Sequence, residues 1–182
     1  MRHFLIVSLP RSRTAWLANF LTYGQSFCYH EGLLGCSNIE QFKKRLESTG
    51  TEISGNSDCG NVFFLDRIKE LIPDIRIVVI KRDLEEVMSS LDAMGDQFGY
   101  RETVVAAAEL IDKSQHYHSA LTIDFNDIGE DACKIIWEYC TGSVFNRNRW
   151  EMLDGINMEI DTHKKLKSMR DNQDQINELT RG

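Results

Sequence analysis

The chain of 182 residues has only two prolines, Pro10 and Pro73, and no long apolar run. With so little proline, and no repeat or low-complexity stretch, nothing marks a linker that would divide it. The phosphate-cradling pattern G-x-x-x-x-G-K-[ST] is absent, which disfavours an ATPase or kinase built on that loop. No apolar stretch approaches the roughly 20 residues needed to span a bilayer, so no membrane partner is expected. The opening "MRHFLIVSLPRSRTAW" has an apolar core too short for a signal peptide. It runs into "PRSR" without a small-residue cleavage site, so a buried strand is expected. Excess positive charge is also missing: the formal net charge is -7, and a general nucleic-acid-binding surface is not expected. The five cysteines, Cys28, Cys36, Cys59, Cys133 and Cys140, are odd in number and match no zinc spacing. Reduced thiols and a cytoplasmic location follow as the expectation.

What is present suits a single domain over residues 1–182, long enough for a full core, with a charged peripheral helix or tail from about 160 to 182. "HFLIVSL" is a continuous apolar run, as expected of a strand covered on both faces. Trp16, Leu17, Phe20 and Leu21 then repeat at helical spacing. "SFCYHE" and "TEIS" read as short strands, with "GNSDCGN" as a turn after the second. A helix starts at "IEQF", capped by Asn38. Another is expected over "VFFLDRIKELI". "IRIVVIKR" is the strongest strand, and "DLEEVMSSLDAMG" follows at once as a helix that Asp83 and Glu86 begin as a capping-box-like pair. "RETVVAAAELIDKSQHYHS", "ALTIDF", "EDACKIIWEYCTG" and "NRNRWEMLDGI" continue as helix, strand, helix and helix. The alternation predicts an α/β three-layer sandwich with a mainly parallel sheet, whose ligands bind at the carboxyl ends of the strands. His116 and His118 stand two apart, which does not put them on one helical face, so no metal site is expected there.

Two basic elements fall at those strand ends. In "LPRSRTAW", Arg11 and Arg13 add charge and Ser12 and Thr14 add hydroxyl donors at a helix N-terminus, a setting that attracts phosphate or sulfate. The same residues also suit a plain strand–helix turn in which Ser12 and Thr14 simply cap the helix. In "IVVIKRDLEEVMSSL", Arg82 ends a strand, and Ser90 follows eight residues later, two turns into the next helix.

Together these elements resemble the sulfotransferase family that uses 3′-phosphoadenosine 5′-phosphosulfate (PAPS). The family's first loop reads P-[KR]-[ST]-G-[ST]-[ST]-W, and here it reads "PRSRTAW". Arg13 stands where glycine is usual and Ala15 where a hydroxyl is usual. "RDLEEVMSS" is similar to the family's R-[DN]-P-x-[DE]-x-x-x-S, with Leu84 replacing proline. The likeness spans roughly residues 3 to 92, and no "R-K-G" loop is evident beyond it. It implies a P-loop NTPase-like sulfotransferase architecture and in-line transfer of a sulfuryl group, without metal, from PAPS to a hydroxyl or amine of a small-molecule or carbohydrate acceptor. It further implies that residues Ser12, Arg13, Thr14, Ala15 and Trp16 cradle the 5′-phosphosulfate through their N–H groups, with Trp16 either stacking on adenine or serving as a core aromatic. Arg11 corresponds to the family's catalytic basic residue, and its fixed charge acts electrostatically. Arg82 and Ser90 take the 3′-phosphate. His30 and Glu31 are the candidate bases, with Glu31 favoured because it lies further towards the loop. Ser57 and Asp58 either contact the acceptor or belong to a plain turn. The competing expectations are a nucleotide or nucleoside kinase-like enzyme using ATP, and a sulfotransferase-like binding module without catalysis.

Overall fold

Five strands form one parallel sheet in the order β2-β3-β1-β4-β5: β1 (Arg2–Ser8), β2 (Ser26–His30), β3 (Ile53–Ser57), β4 (Arg76–Lys81) and β5 (Leu121–Asp124). The computed structural model describes residues 1–93, 100–117 and 120–156. The charged segment from about residue 160 and His118, and with it the His116–His118 pair, lie outside the described residues.

Seven α-helices among these residues cover both faces of the sheet: α1 (Thr14–Leu21), α2 (Ile39–Glu47), α3 (Leu65–Leu71), α4 (Leu84–Ala93), α5 (Arg101–Tyr117), α6 (Glu130–Thr141) and α7 (Arg147–Leu153). The sheet's two faces follow from the period of two in its strands. Leu5 and Val7 of β1 and Ile77 and Val79 of β4 pack with the apolar sides of α2 to α5. Their neighbours Phe4, Ile6, Val78 and Ile80 pack with α1, α6 and α7. A strand buried on both faces has no polar side to show, which is why β1 and β4 read as unbroken apolar runs. The expected caps form: the Asn38 side chain accepts from the Gln41 N–H at 2.8 Å, and Asp83 accepts from the Glu86 N–H at 3.0 Å.

The third strand corrects the sequence reading. "ISGNS" is strand throughout, all five residues are buried, and it pairs with β1 and β2, so the turn expected over residues 55–57 is not there. Gly55 is required by close approach: a Cβ there would lie 2.3 Å from the Phe4 ring. The buried Asn56 side chain is satisfied by one near and one distant partner, donating to Asn61 Oδ1 at 2.8 Å and accepting from the Gly32 N–H at 2.8 Å. Residues Cys59–Phe64 then form a 3-10 segment, and the helix expected from Val62 begins at Leu65. All five cysteines are free thiols, and burial pushes Cys59 up to about 11 and Cys133 up to about 12. No described helix is long and apolar enough to cross a membrane.

Candidate functional site

Because the five described strands are parallel, the loops after β1, β2, β3, β4 and β5 gather at one edge. The loop after β1 has an unusual backbone. Arg11 and Arg13 both lie in the left-handed region, at φ 64° and 60°, with Ser12 between them outside it. For residues with a Cβ this conformation costs about 1–2 kcal/mol each, and such strain gathers at ligand clamps. Alternation of this kind turns successive N–H groups into an anion-binding concavity. Arg13 is also the N-cap of α1, with no side-chain cap bond, and the first turn of α1 carries no acidic residue. Arginine therefore keeps the backbone shape for which glycine is usual.

Its side chain leaves the cradle. Arg13 Nη1 donates to the Ile128 carbonyl at 3.3 Å, and its guanidinium carbon lies 5.8 Å from the centre of the Phe125 ring. Arg82 comes in from the end of β4. Its Nη1 donates to the Arg11 carbonyl, its guanidinium carbon lies 4.0 Å from the same Phe125 ring, and its Nε is 3.5 Å from Glu86 Oε2. Arg11 Nε in turn donates to Ser90 Oγ at 3.3 Å on α4. The residues singled out in two distant stretches, Arg11, Arg13, Arg82 and Ser90, thus form one contiguous cluster. Ser12 is fully buried and donates to the Pro10 carbonyl at 3.4 Å.

His30 and Glu31 separate in role. His30 Nε2 is hydrogen-bonded to Thr14 Oγ1 at 3.2 Å, so the ring reaches the first turn of α1. Glu31 is exposed and left-handed at φ 58°, and its N–H donates to the Ser57 carbonyl. The contact with the loop is made by His30 and not by Glu31, the base favoured from the sequence. Ser57, the Cα partner of His30 in register, has a buried hydroxyl with no partner among the described residues, as does Ser8 at the end of β1. Asp58 caps the 3-10 segment by accepting from the Gly60 N–H at 2.7 Å. Ala15 lies in the first turn of α1, its carbonyl accepting from Asn19 Nδ2 at 2.9 Å.

Trp16 is not in this cluster. Its ring is buried and stacked on Phe20 with centroids 5.2 Å apart, and its Nε1 donates to the Leu153 carbonyl at 3.0 Å. Of the two roles expected for it, the fold gives it that of a core aromatic linking α1 to α7. Conversely, Phe125 contacts both arginines, yet nothing in the sequence singles it out beyond an aromatic at a strand end.

No protein-family model matches the chain, and no curated protein matches it. Solved structures that share its fold include the following two. One is the YorR protein of Bacillus subtilis in complex with phosphorylated GDP, with TM-score 0.50 and 14% identity over 73% of this chain and 92% of that one. The other is mouse sulfotransferase SULT7A1 complexed with PAP, with TM-score 0.57 and 14% identity over 84% of this chain and 63% of that one. The architecture is therefore that of the P-loop-like sulfotransferase and kinase folds.

Proposed function

We propose that this chain is a small sulfotransferase that moves a sulfuryl group from PAPS to a hydroxyl or amine of a small-molecule or carbohydrate acceptor. The observation that carries the reading is that Arg82, from the end of β4, donates to the Arg11 carbonyl in the loop that opens α1, while Arg11 itself reaches Ser90 on α4. That helix end already bears partial positive charge, so adding cations is unfavourable until an anion joins them. A ligand with two anionic ends suits the arrangement: the N–H groups of the loop take the 5′-phosphosulfate, while Arg82 and Ser90 take the 3′-phosphate. The family likeness of "PRSRTAW" and "RDLEEVMSS" and the fold shared with a PAP-bound sulfotransferase support the same choice.

In this reading the acceptor's oxygen or nitrogen attacks sulfur as the bond from sulfur to the bridging oxygen breaks. The product 3′-phosphoadenosine 5′-phosphate (PAP) leaves with the bonding electrons. Arg11 stabilises the charge that grows on the bridging oxygen and gives up no proton. His30 takes the acceptor's proton, because its ring already reaches Thr14 at the cradle. Ser57 and Asp58 border the acceptor's approach, and Glu31 stands beside them.

Isothermal titration of the protein with PAP tests the reading. Saturable binding is expected, and an absence of binding heat and of any thermal shift defeats it. A second reading, a nucleotide kinase-like enzyme using ATP, draws on the fold shared with YorR. Mg²⁺-dependent ATP turnover would put it first. PAP binding without sulfuryl transfer to any acceptor would leave a binding module.

A further inference from the structure

Phe125 follows β5 and opens a short 3-10 turn, Phe125–Asp127, in which Asp124 Oδ1 accepts from the Asn126 N–H at 2.9 Å. One side of the residue packs against the core formed with α1 and α6. Arginines from two other loops come to it: Arg82 from the end of β4, at 4.0 Å from the ring centre, and Arg13 from the loop after β1, at 5.8 Å. The same segment supplies the Ile128 carbonyl that Arg13 Nη1 donates to. We propose that Phe125 is a positioning residue for Arg82, its ring fixing the plane of the guanidinium so that the charge is aimed at the ligand's 3′-phosphate. This rests on the proposed function.

Two contacts determine how a planar guanidinium sits. The bond from Nη1 to the Arg11 carbonyl fixes one edge, and the Phe125 ring fixes the face. Without the ring, one edge contact leaves the group free to turn about it. Glu86 already pairs with Arg82 through charge alone, its Oε2 3.5 Å from Nε without a hydrogen bond. Turned further towards it, Arg82 would spend its charge on α4 and not on a ligand. The Arg82 side chain is only 15% exposed, and a cation over an aromatic face gains strength as water is excluded. A leucine of similar apolar bulk would pack on the core but offer no π face.

Calorimetry with PAP and with ADP, which lacks the 3′-phosphate, tests this on Phe125→Leu and Phe125→Tyr beside the unsubstituted protein. Phe125→Leu is expected to bind PAP about tenfold more weakly with ADP affinity little changed, the size of a partly desolvated cation–π contact. Phe125→Tyr keeps the ring and is expected to match the unsubstituted protein. Thermal unfolding of each variant separates loss of folding from loss of binding, and Phe125→Met takes the place of Phe125→Leu should that variant not fold. Equal losses for PAP and ADP, or a loss in Phe125→Tyr as large as in Phe125→Leu, overturn the positioning role alone. No PAP binding by the unsubstituted protein overturns the proposed function and this role with it.

Discussion

At the amino edge of the sheet, Arg2 and Arg76 donate to the Thr141 and Tyr139 carbonyl oxygens in the last turn of α6, and Arg76 also lies 5.7 Å from the Tyr139 ring. At the carboxyl edge, Arg82 and Arg13 donate to the Arg11 and Ile128 carbonyls and share the Phe125 ring. The contacts are alike, an arginine on a carbonyl and an aromatic face, but the electrostatic setting is reversed. A helix C-terminus carries partial negative charge, so Arg2 and Arg76 complete it and the local balance closes. The N-terminus of α1 carries partial positive charge, has no acidic residue in its first turn, and is surrounded by arginines. In the proposed reading an anionic ligand adds to the Glu86 carboxylate beside Arg82 in balancing that edge. On that reading the same side chain is structural at one end of the sheet and a ligand-binding group at the other, because of the helix end it meets.

Removing the charge at the reacting centre separates the two edges most widely. Arg11→Ala is expected to slow sulfuryl transfer by about 10²–10³-fold, the loss typical of one transition-state charge stabiliser. PAP affinity should fall far less, and initial rates with an acceptor used by the unsubstituted protein measure both. A turnover number unchanged by the substitution would remove Arg11 from the chemistry. The cradle's backbone gives a smaller effect. Arg13→Ala and Arg13→Gly both delete the guanidinium, but only glycine is at ease in the left-handed conformation. Arg13→Gly is expected to be the more stable of the two by about 1 kcal/mol in denaturant unfolding. Equal stabilities would contradict the strained loop. The smallest effect lies towards the amino edge. His3 is buried and its Nδ1 is hydrogen-bonded to Ser54 Oγ at 2.8 Å, and burial holds its pKa below the ordinary 6.5. The unfolded chain therefore binds the proton more readily. The stability that comes from a neutral His3 is fully present above about pH 6.5 and is lost as pH falls below it. His3→Gln should flatten that slope in unfolding curves taken between neutral and mildly acidic pH, and an unchanged slope would assign it elsewhere.

The sequence made the two central strands and the two capped helices legible because their signals are local. A strand buried on both faces is apolar throughout, and Asn38 and Asp83 cap helices three residues away. β3 was legible only at its start, in "TEIS": Gly55 belongs to the strand because of the Phe4 ring, and Asn56 because of Gly32 as well as Asn61, and Phe4 and Gly32 lie far from them in sequence. The site divides in the same way. The two basic elements, with Ser90, could be read from spacing. The preference for Glu31 over His30 used distance along the chain, whereas the left-handed turn at Glu31 leaves His30 against Thr14. Trp16 and Phe125 are both aromatics beside the cradle, and only packing decides that Trp16 stacks in the core while Phe125 meets the arginines.

The central claim is that the carboxyl-edge arginines hold a ligand and the amino-edge arginines hold the fold. Titration of Arg82→Ala and Arg76→Ala with PAP and ADP, together with thermal unfolding, tests it most directly. Arg82→Ala is expected to weaken PAP by about 10- to 100-fold, the size of a lost hydrogen bond to a charged group, and to weaken ADP much less. Arg76→Ala is expected to lower stability by about 1–3 kcal/mol, by leaving the Tyr139 carbonyl without its donor, and to bind PAP as the unsubstituted protein does. Equal losses of PAP and ADP affinity in Arg82→Ala, or the same loss of PAP affinity in both variants, would contradict the account.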